Sequence, residues 1–155
     1  MAGRSNSKSK YKPKDFESTG ERSDTCAQIF ESMLNSPAWR DLKPRQQLLY
    51  VYVKAQFYGK RKPKHDYPDN PAFQSDECFY MNLGAAVKYD LYKRSGNKEF
   101  YKDMRELCEH GFIKCVSNGR YTKKKSIYRY SADWKGWKNK DSVGNHPQDS
   151  HLPCG

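Results

Sequence analysis

The sequence predicts one α+β domain, mainly helical, with its helices packed against a small antiparallel β-hairpin. Three observations predict it. Apolar residues recur at helical spacing in several stretches between residues 26 and 110. Two strand-like runs rich in Ile, Val and Tyr follow. Proline, glycine and asparagine punctuate the joins. At 155 residues the chain suits a single core, with residues 23–137 folding and polar tails on either side. Hydrophobic residues make up 35% and charged residues 30%, polar for a globular chain, but aromatics at 14% exceed what disordered chains carry.

Residues 1–22 carry six basic and three acidic residues with little that is apolar, which reads as a flexible basic arm or an inert tail. Order is expected from Asp24-Thr25. Thr25 with Gln28 three residues on matches a capping box, and Cys26, Ile29, Phe30, Met33 and Leu34 repeat at helical spacing. Ser36-Pro37 reads as an N-cap followed by proline in the first helical position, so a short helix carries Trp39 and Leu42. Pro44 opens the next helix. Its body, Leu48 to Tyr58, is apolar nearly all round and stops at Gly59, the pattern of a helix buried in mid-domain. Residues 59–77, with Pro63, Pro68 and Pro71, read as a long loop whose Lys60-Arg61-Lys62-Pro63-Lys64 stretch is basic.

Cys78-Phe79-Tyr80-Met81 reads as a short strand. Asn82 caps a helix from Leu83 to about Asp90 with Leu83, Ala86 and Val87 inward, and Leu91 to Gly96 turn the chain. A second helix runs from Asn97 to His110 with Phe100, Met104, Leu107 and Cys108 on one face and Gly111 just past its end. Phe112 to Val116 and Ile127 to Tyr130 pair as a hairpin, through either a tight Asn118-Gly119 turn or a wider loop ending near Lys125. Trp134 and Trp137 close the domain, and residues 138–155 read as a disordered tail.

Charge and cysteine usage narrow the function classes. Lys plus Arg outnumber Asp plus Glu by 29 to 18, a net charge of +11, and such a surface attracts polyanions, nucleic acid first. No apolar run approaches the ~20 residues that span a bilayer and no signal-peptide core is seen, so a soluble, cytoplasmic protein without membrane partners is expected. The five cysteines (Cys26, Cys78, Cys108, Cys115, Cys154) include no C-x-x-C pair, and no histidine stands at a zinc-ligand spacing. No metal and no cofactor are expected. Cys26, Cys108 and Cys115 fall on apolar faces as small core residues.

Helix, helix, strand, two helices joined by a turn, and a hairpin is the layout of a winged helix-turn-helix. The second helix of the pair enters the major groove and the hairpin wing touches backbone or minor groove. The apolar stripe of the Asn97–His110 helix leaves Asn97, Lys98, Tyr101, Lys102 and Arg105 opposite it, donors suited to the acceptor-rich edges of bases. Arg105 leads for base contact, then Lys102 and Asn97. Lys93, Arg94 and Ser95 in the turn suit phosphates. A solvated face is the competing explanation, with Glu99, Asp103, Glu106 and Glu109 pairing to the lysines. From Phe112 to Tyr130 there is no acidic residue, against Lys114, Arg120, Lys123, Lys124, Lys125 and Arg129, with Tyr121 among them. Such unpaired like charge points to a polyanion. Neutralising roughly six phosphates would make affinity fall as about the fifth power of salt.

The stretch Met33 to Trp39 through Leu42, the Leu48–Tyr58 helix, Phe100 to Leu107, Gly111-Phe112-Ile113, Tyr128 to Ser131 and Trp134 together resemble winged helix-turn-helix DNA-binding proteins. The proteins resembled are those of plasmids, phages and conjugative elements of Gram-positive bacteria. The likeness covers roughly residues 26–137 and consists mostly of packing positions. It implies a relaxosome accessory, replication-initiation or regulatory protein that binds specific double-stranded element DNA, with other proteins of such complexes as further partners.

An enzyme would need a convergent polar site. His65, His110, His146 and His151 are dispersed, no nucleophile–base spacing occurs, and no phosphate-cradling glycine loop is present, so no catalysis is expected. The alternative is a winged helix used on RNA or on protein. Tyr80, Tyr89, Tyr92, Tyr101 and Tyr121 could stack on single strands.

Overall fold

In a computed structural model that describes residues 12–58, 61–119 and 124–142, helices pack on one face of a three-stranded antiparallel sheet. The order is α1 (Glu31–Leu34), α2 (Pro37–Asp41), α3 (Pro44–Ala55), α4 (Pro63–Asp66), β1 (Cys78–Met81), α5 (Leu83–Lys88), α6 (Asn97–Glu109), β2 (Ile113–Ser117) and β3 (Ser126–Tyr130). Turns of 3-10 helix lie at Pro71–Phe73 and Asp133–Gly136. The expected α+β class and the order of its main elements are both present.

Local chemistry explains the joins. The Ser36 hydroxyl accepts from Trp39 N at 3.2 Å and donates to Met33 O at 2.6 Å, tying the end of α1 to the start of α2. Pro44 sits in the first turn of α3. The Asn82 side chain accepts from Ala85 N at 2.9 Å and starts α5. Gly111 ends the α6 turn at φ 78, and a Cβ there would stand 2.5 Å from Trp134 N, so both conformation and space require glycine.

The sheet order is β1–β3–β2, so β3 is central and β1 joins the expected hairpin as a third strand. Phe79 faces Tyr128 across β1 and β3, Cys115 faces Tyr128 across β2 and β3, and a bulge lies between Cys115 and Ser117. Strand alternation then builds two cores. Phe79, Met81, Ile113 and Tyr128 meet the helices, where Trp39, Tyr50 and Phe112 pack ring to ring with centroids 5.0 to 6.0 Å apart. Trp134 lies parallel over Phe112 and Trp137 over His110, closing the domain as expected. Cys78 and Ile127 point the other way and pack with Phe73 in a second cluster.

Four expectations are corrected. The helix expected from Thr25 is a single turn beginning at Glu31, with Phe30 extended at its N-cap and 72% exposed. Cys26 is likewise exposed rather than core. Only Ile29 and Met33 of that stretch reach the core, and apolar spacing without a surface to pack on does not sustain a helix. The Leu48–Tyr58 helix is not buried all round: Leu48 is 45% exposed, while Leu49, Tyr50 and Val53 are buried. Residues 61–77 are not structureless but hold α4 and the Pro71–Phe73 turn. The hairpin connection is the wider one, since β2 ends at Ser117 and β3 begins at Ser126. Gly119 N donates to Ser126 Oγ at 3.2 Å across its neck. Most of the two expected tails (residues 1–11 and 143–155), with Cys154, lie outside the described residues.

Candidate nucleic-acid interface

The sequence-predicted residues divide into three groups. Lys93, Arg94, Ser95, Asn97, Lys98, Lys102 and Arg105 are exposed on the turn before α6 and on its outer face. Tyr101 is half-buried, its ring packed edgewise on Phe100 at 5.1 Å, so it belongs partly to the core. Lys124 and Lys125 are exposed at the start of β3, and Arg120, Tyr121 and Lys123 lie outside the described residues.

A cleft of about 520 Å³ separates α6 from the hairpin. Ser95, Asn97, Lys98, Tyr101 and Arg105 line its helical side, and Cys115, Asn118, Ser126 and Tyr128 its sheet side. Lys124 and Lys125 do not share this cleft. Their ammonium groups lie over the rings of Tyr67 and Tyr80, each 5.8 Å from the centroid, beside the second cluster.

The turn before α6 is held from beneath. Asp90 adopts φ 57 and ends α5, and Gly96 N donates to Lys93 O at 2.8 Å. Tyr92 is buried against Phe100 and its hydroxyl donates to Asp103 Oδ2 at 2.5 Å. Asp103 is only 2% exposed. It also accepts from Arg45 Nε at 2.6 Å and from Gln46 Nε2 at 3.0 Å. Burial alone would raise the Asp103 pKa. The hydrogen bonds from Arg45, Tyr92 and Gln46 outweigh burial and leave it below the ordinary carboxylate value. Gln46 spends its other end on Lys43 N at 2.9 Å, so one buried amide joins the start of α3 to α6. The Arg45 guanidinium lies 5.0 Å from the Tyr92 ring centroid and 3.6 Å from Glu99.

Three of the four acids of α6 are met by partners away from its cations, while Glu109 is exposed at its C-terminal end. Asp103 is buried, Glu99 pairs with Arg45, and the Glu106 carboxylate lies 3.7 Å from His110 Nδ1. His110 Nε2 in turn meets Asp41 Oδ2 at 2.7 Å. Among the described residues no ion pair involves Lys93, Arg94, Lys98, Lys102 or Arg105. The competing explanation of an α6 face neutralised by its own acids is thus not what the side chains do.

Of the tyrosines considered for stacking, Tyr80, Tyr89 and Tyr92 are engaged, Tyr101 lines the cleft, and Tyr121 lies outside the described residues. Tyr89 is stacked on Tyr52 at 4.3 Å, Tyr92 is buried, and Tyr80 donates to Asp66 at 2.9 Å. Sequence reasoning missed the Arg45–Gln46–Tyr92–Asp103 network. The available signal was Asp103 itself, a charge inside the Phe100, Met104, Leu107 stripe. Among the described residues no group of three or more His, Cys, Asp or Glu side chains is arranged to hold a metal ion, and no helix is long and apolar enough to cross a membrane. Compared with known proteins, the chain matches no family model, no curated protein and no solved structure.

Proposed function

We propose that the protein is a winged-helix module that binds double-stranded DNA in a sequence-specific way and carries out no reaction of its own. In this reading α5 and α6 form the helix pair, α6 enters the major groove, and the β2–β3 connection is the wing. One observation carries it. Among the described residues, the outer face of α6 and the turn before it expose five cations without an ion pair, while Glu99, Asp103 and Glu106 of the same helix meet Arg45, Gln46, Tyr92 and His110. Unpaired cations on a rigid helix cost self-repulsion that phosphates and guanine edges would relieve. The three-stranded order β1–β3–β2, with eight residues between the end of β2 at Ser117 and the start of β3 at Ser126, supports the wing assignment.

Arg105 is the residue for base contact, with Lys102 and Asn97 beside it. Lys93, Arg94 and Ser95 take phosphates. The resemblance to accessory proteins of mobile elements makes element DNA the expected target, in transfer, replication or transcriptional control, with other proteins of such complexes as partners. The engaged tyrosines favour duplex over single strands, because stacking on bases needs free ring faces.

Competition binding among duplex DNA, single-stranded DNA and RNA of matched sequence tests this reading. The duplex is expected to win, with log affinity falling against log salt at a slope near −5, as about six neutralised phosphates require. Preference for RNA or single strands would replace it with the RNA alternative. Weak binding without sequence preference, abolished by salt, would point to a protein partner.

A further inference from the structure

The basic stretch that begins the 61–77 segment is not part of the α6 face, and its charges are already engaged. Arg61 pairs with Asp66 at 2.5 Å, and Lys64 pairs with Asp76 at 2.5 Å. Lys62 donates to Asp76 O at 2.8 Å and lies over the Phe57 ring at 4.5 Å. These cations fasten the segment to itself and to α3's end, and carry their own carboxylate partners at the surface.

What the segment builds is a second small core on the side of the sheet away from the helices. Phe73 is buried with Cys78 and Ile127, and Tyr67, Tyr80 and Val116 surround them. Tyr67 packs edgewise on Phe73 at 5.3 Å, Gln74 Nε2 donates to Tyr67 O at 2.8 Å, and the Tyr80 hydroxyl is fixed by Asp66. Both rings therefore have restricted positions. Each lies beneath a lysine at the base of the β2–β3 connection: Lys124 over Tyr67 and Lys125 over Tyr80.

We propose that residues 61–77 are a brace for the start of β3, in which Tyr67 is a positioning residue for Lys124 and, with Tyr80, sets where Lys124 and Lys125 present their ammonium groups. A lysine free in solvent gives up rotamer freedom when it meets a phosphate, and one already held over a ring gives up less. A ring centroid within about 6 Å attracts an ammonium without covering it, so the charge stays open to a phosphate. The brace is a property of the free protein. Only the identity of what the lysines meet rests on the DNA reading above.

Tryptic digestion of the full chain without DNA, resolved by peptide mass, separates the two. In Tyr67→Leu, cleavage after Lys124 should quicken about two- to fivefold, the range one exposed cation–ring contact supports. Tyr67→Phe keeps the ring and should cut at the wild-type rate. Cleavage after Arg94, in the turn before α6, should be the same in all three proteins, which distinguishes local release from general loosening. Duplex affinity should fall with Tyr67→Leu by a similar factor. Equal cleavage after Lys124 in all three proteins would overturn the brace. Faster cleavage with unchanged duplex affinity would keep the brace and remove the loop base from the DNA interface. If Tyr67→Leu loosens the whole domain, the ε-methylene protons of Lys124 and Lys125 in the wild-type protein decide. Ring current should move them upfield of free lysine, and unshifted positions would overturn the proposal.

Discussion

Two stretches of this chain look alike in sequence and behave differently in the fold. Arg61, Lys62 and Lys64 form one basic stretch, and Lys93, Arg94, Lys98, Lys102 and Arg105 another. Both have acidic residues nearby in sequence. In the first, Asp66 and Asp76 come back onto the cations and neutralise them. In the second, Glu99 and Asp103 are met by Arg45 of α3 and Tyr92 of the turn and Glu106 by His110, and among the described residues the cations make no ion pair. Charge density alone therefore does not mark a polyanion site. In the DNA reading proposed above, what marks it is whether the fold supplies the neighbouring acids with other partners.

Asp103 is where the difference is largest, since it is the acid most fully removed from the α6 surface. Asp103→Ala should cost about 3 kcal/mol in chemical denaturation, because it strands Arg45, Gln46 and Tyr92 around an empty site. Its pH dependence follows from its sign. A carboxylate held below its unfolded-state value contributes stability in full above that value, about pH 4, and loses it as pH falls through the lower folded-state value. Thermal melts of Asp103→Asn against wild type should therefore diverge near neutrality and converge towards acid. A constant gap down to pH 2.5 would contradict the network.

The next effect lies in the open stretch. Lys93→Ala with Arg94→Ala should leave the melting temperature nearly unchanged, weaken duplex binding about tenfold, and flatten the salt slope by about two. The smallest effect lies in the paired stretch. Arg61→Ala with Lys64→Ala removes two exposed ion pairs and should cost less than about 1 kcal/mol, with the salt slope unmoved. A drop in slope equal to that of the first pair would erase the distinction between the two stretches.

Much of this fold is legible in the sequence where local chemistry decides it. Ser36-Pro37, Asn82 and Gly111 mark helix ends by mechanism, and all three act as expected. Phe100, Met104 and Leu107 identify the buried face of α6. Where tertiary packing decides, the reading fails. Nothing local says that Cys26 and Phe30 lack a surface to pack on, or that Phe73 finds Ile127 and turns an expected loop into a second core. The outward cations of α6 were readable from periodicity. That Glu99 and Asp103 belong to Arg45 was not, because that partner comes from a distant position in the chain.

Selection of bound sequences from a random duplex pool at ~150 mM salt, with wild type and Arg105→Ala in parallel, tests base readout by α6 most directly. The account predicts a defined motif for wild type and the same motif relaxed at one position for Arg105→Ala. No enrichment over background, or an identical motif from both proteins, would contradict it.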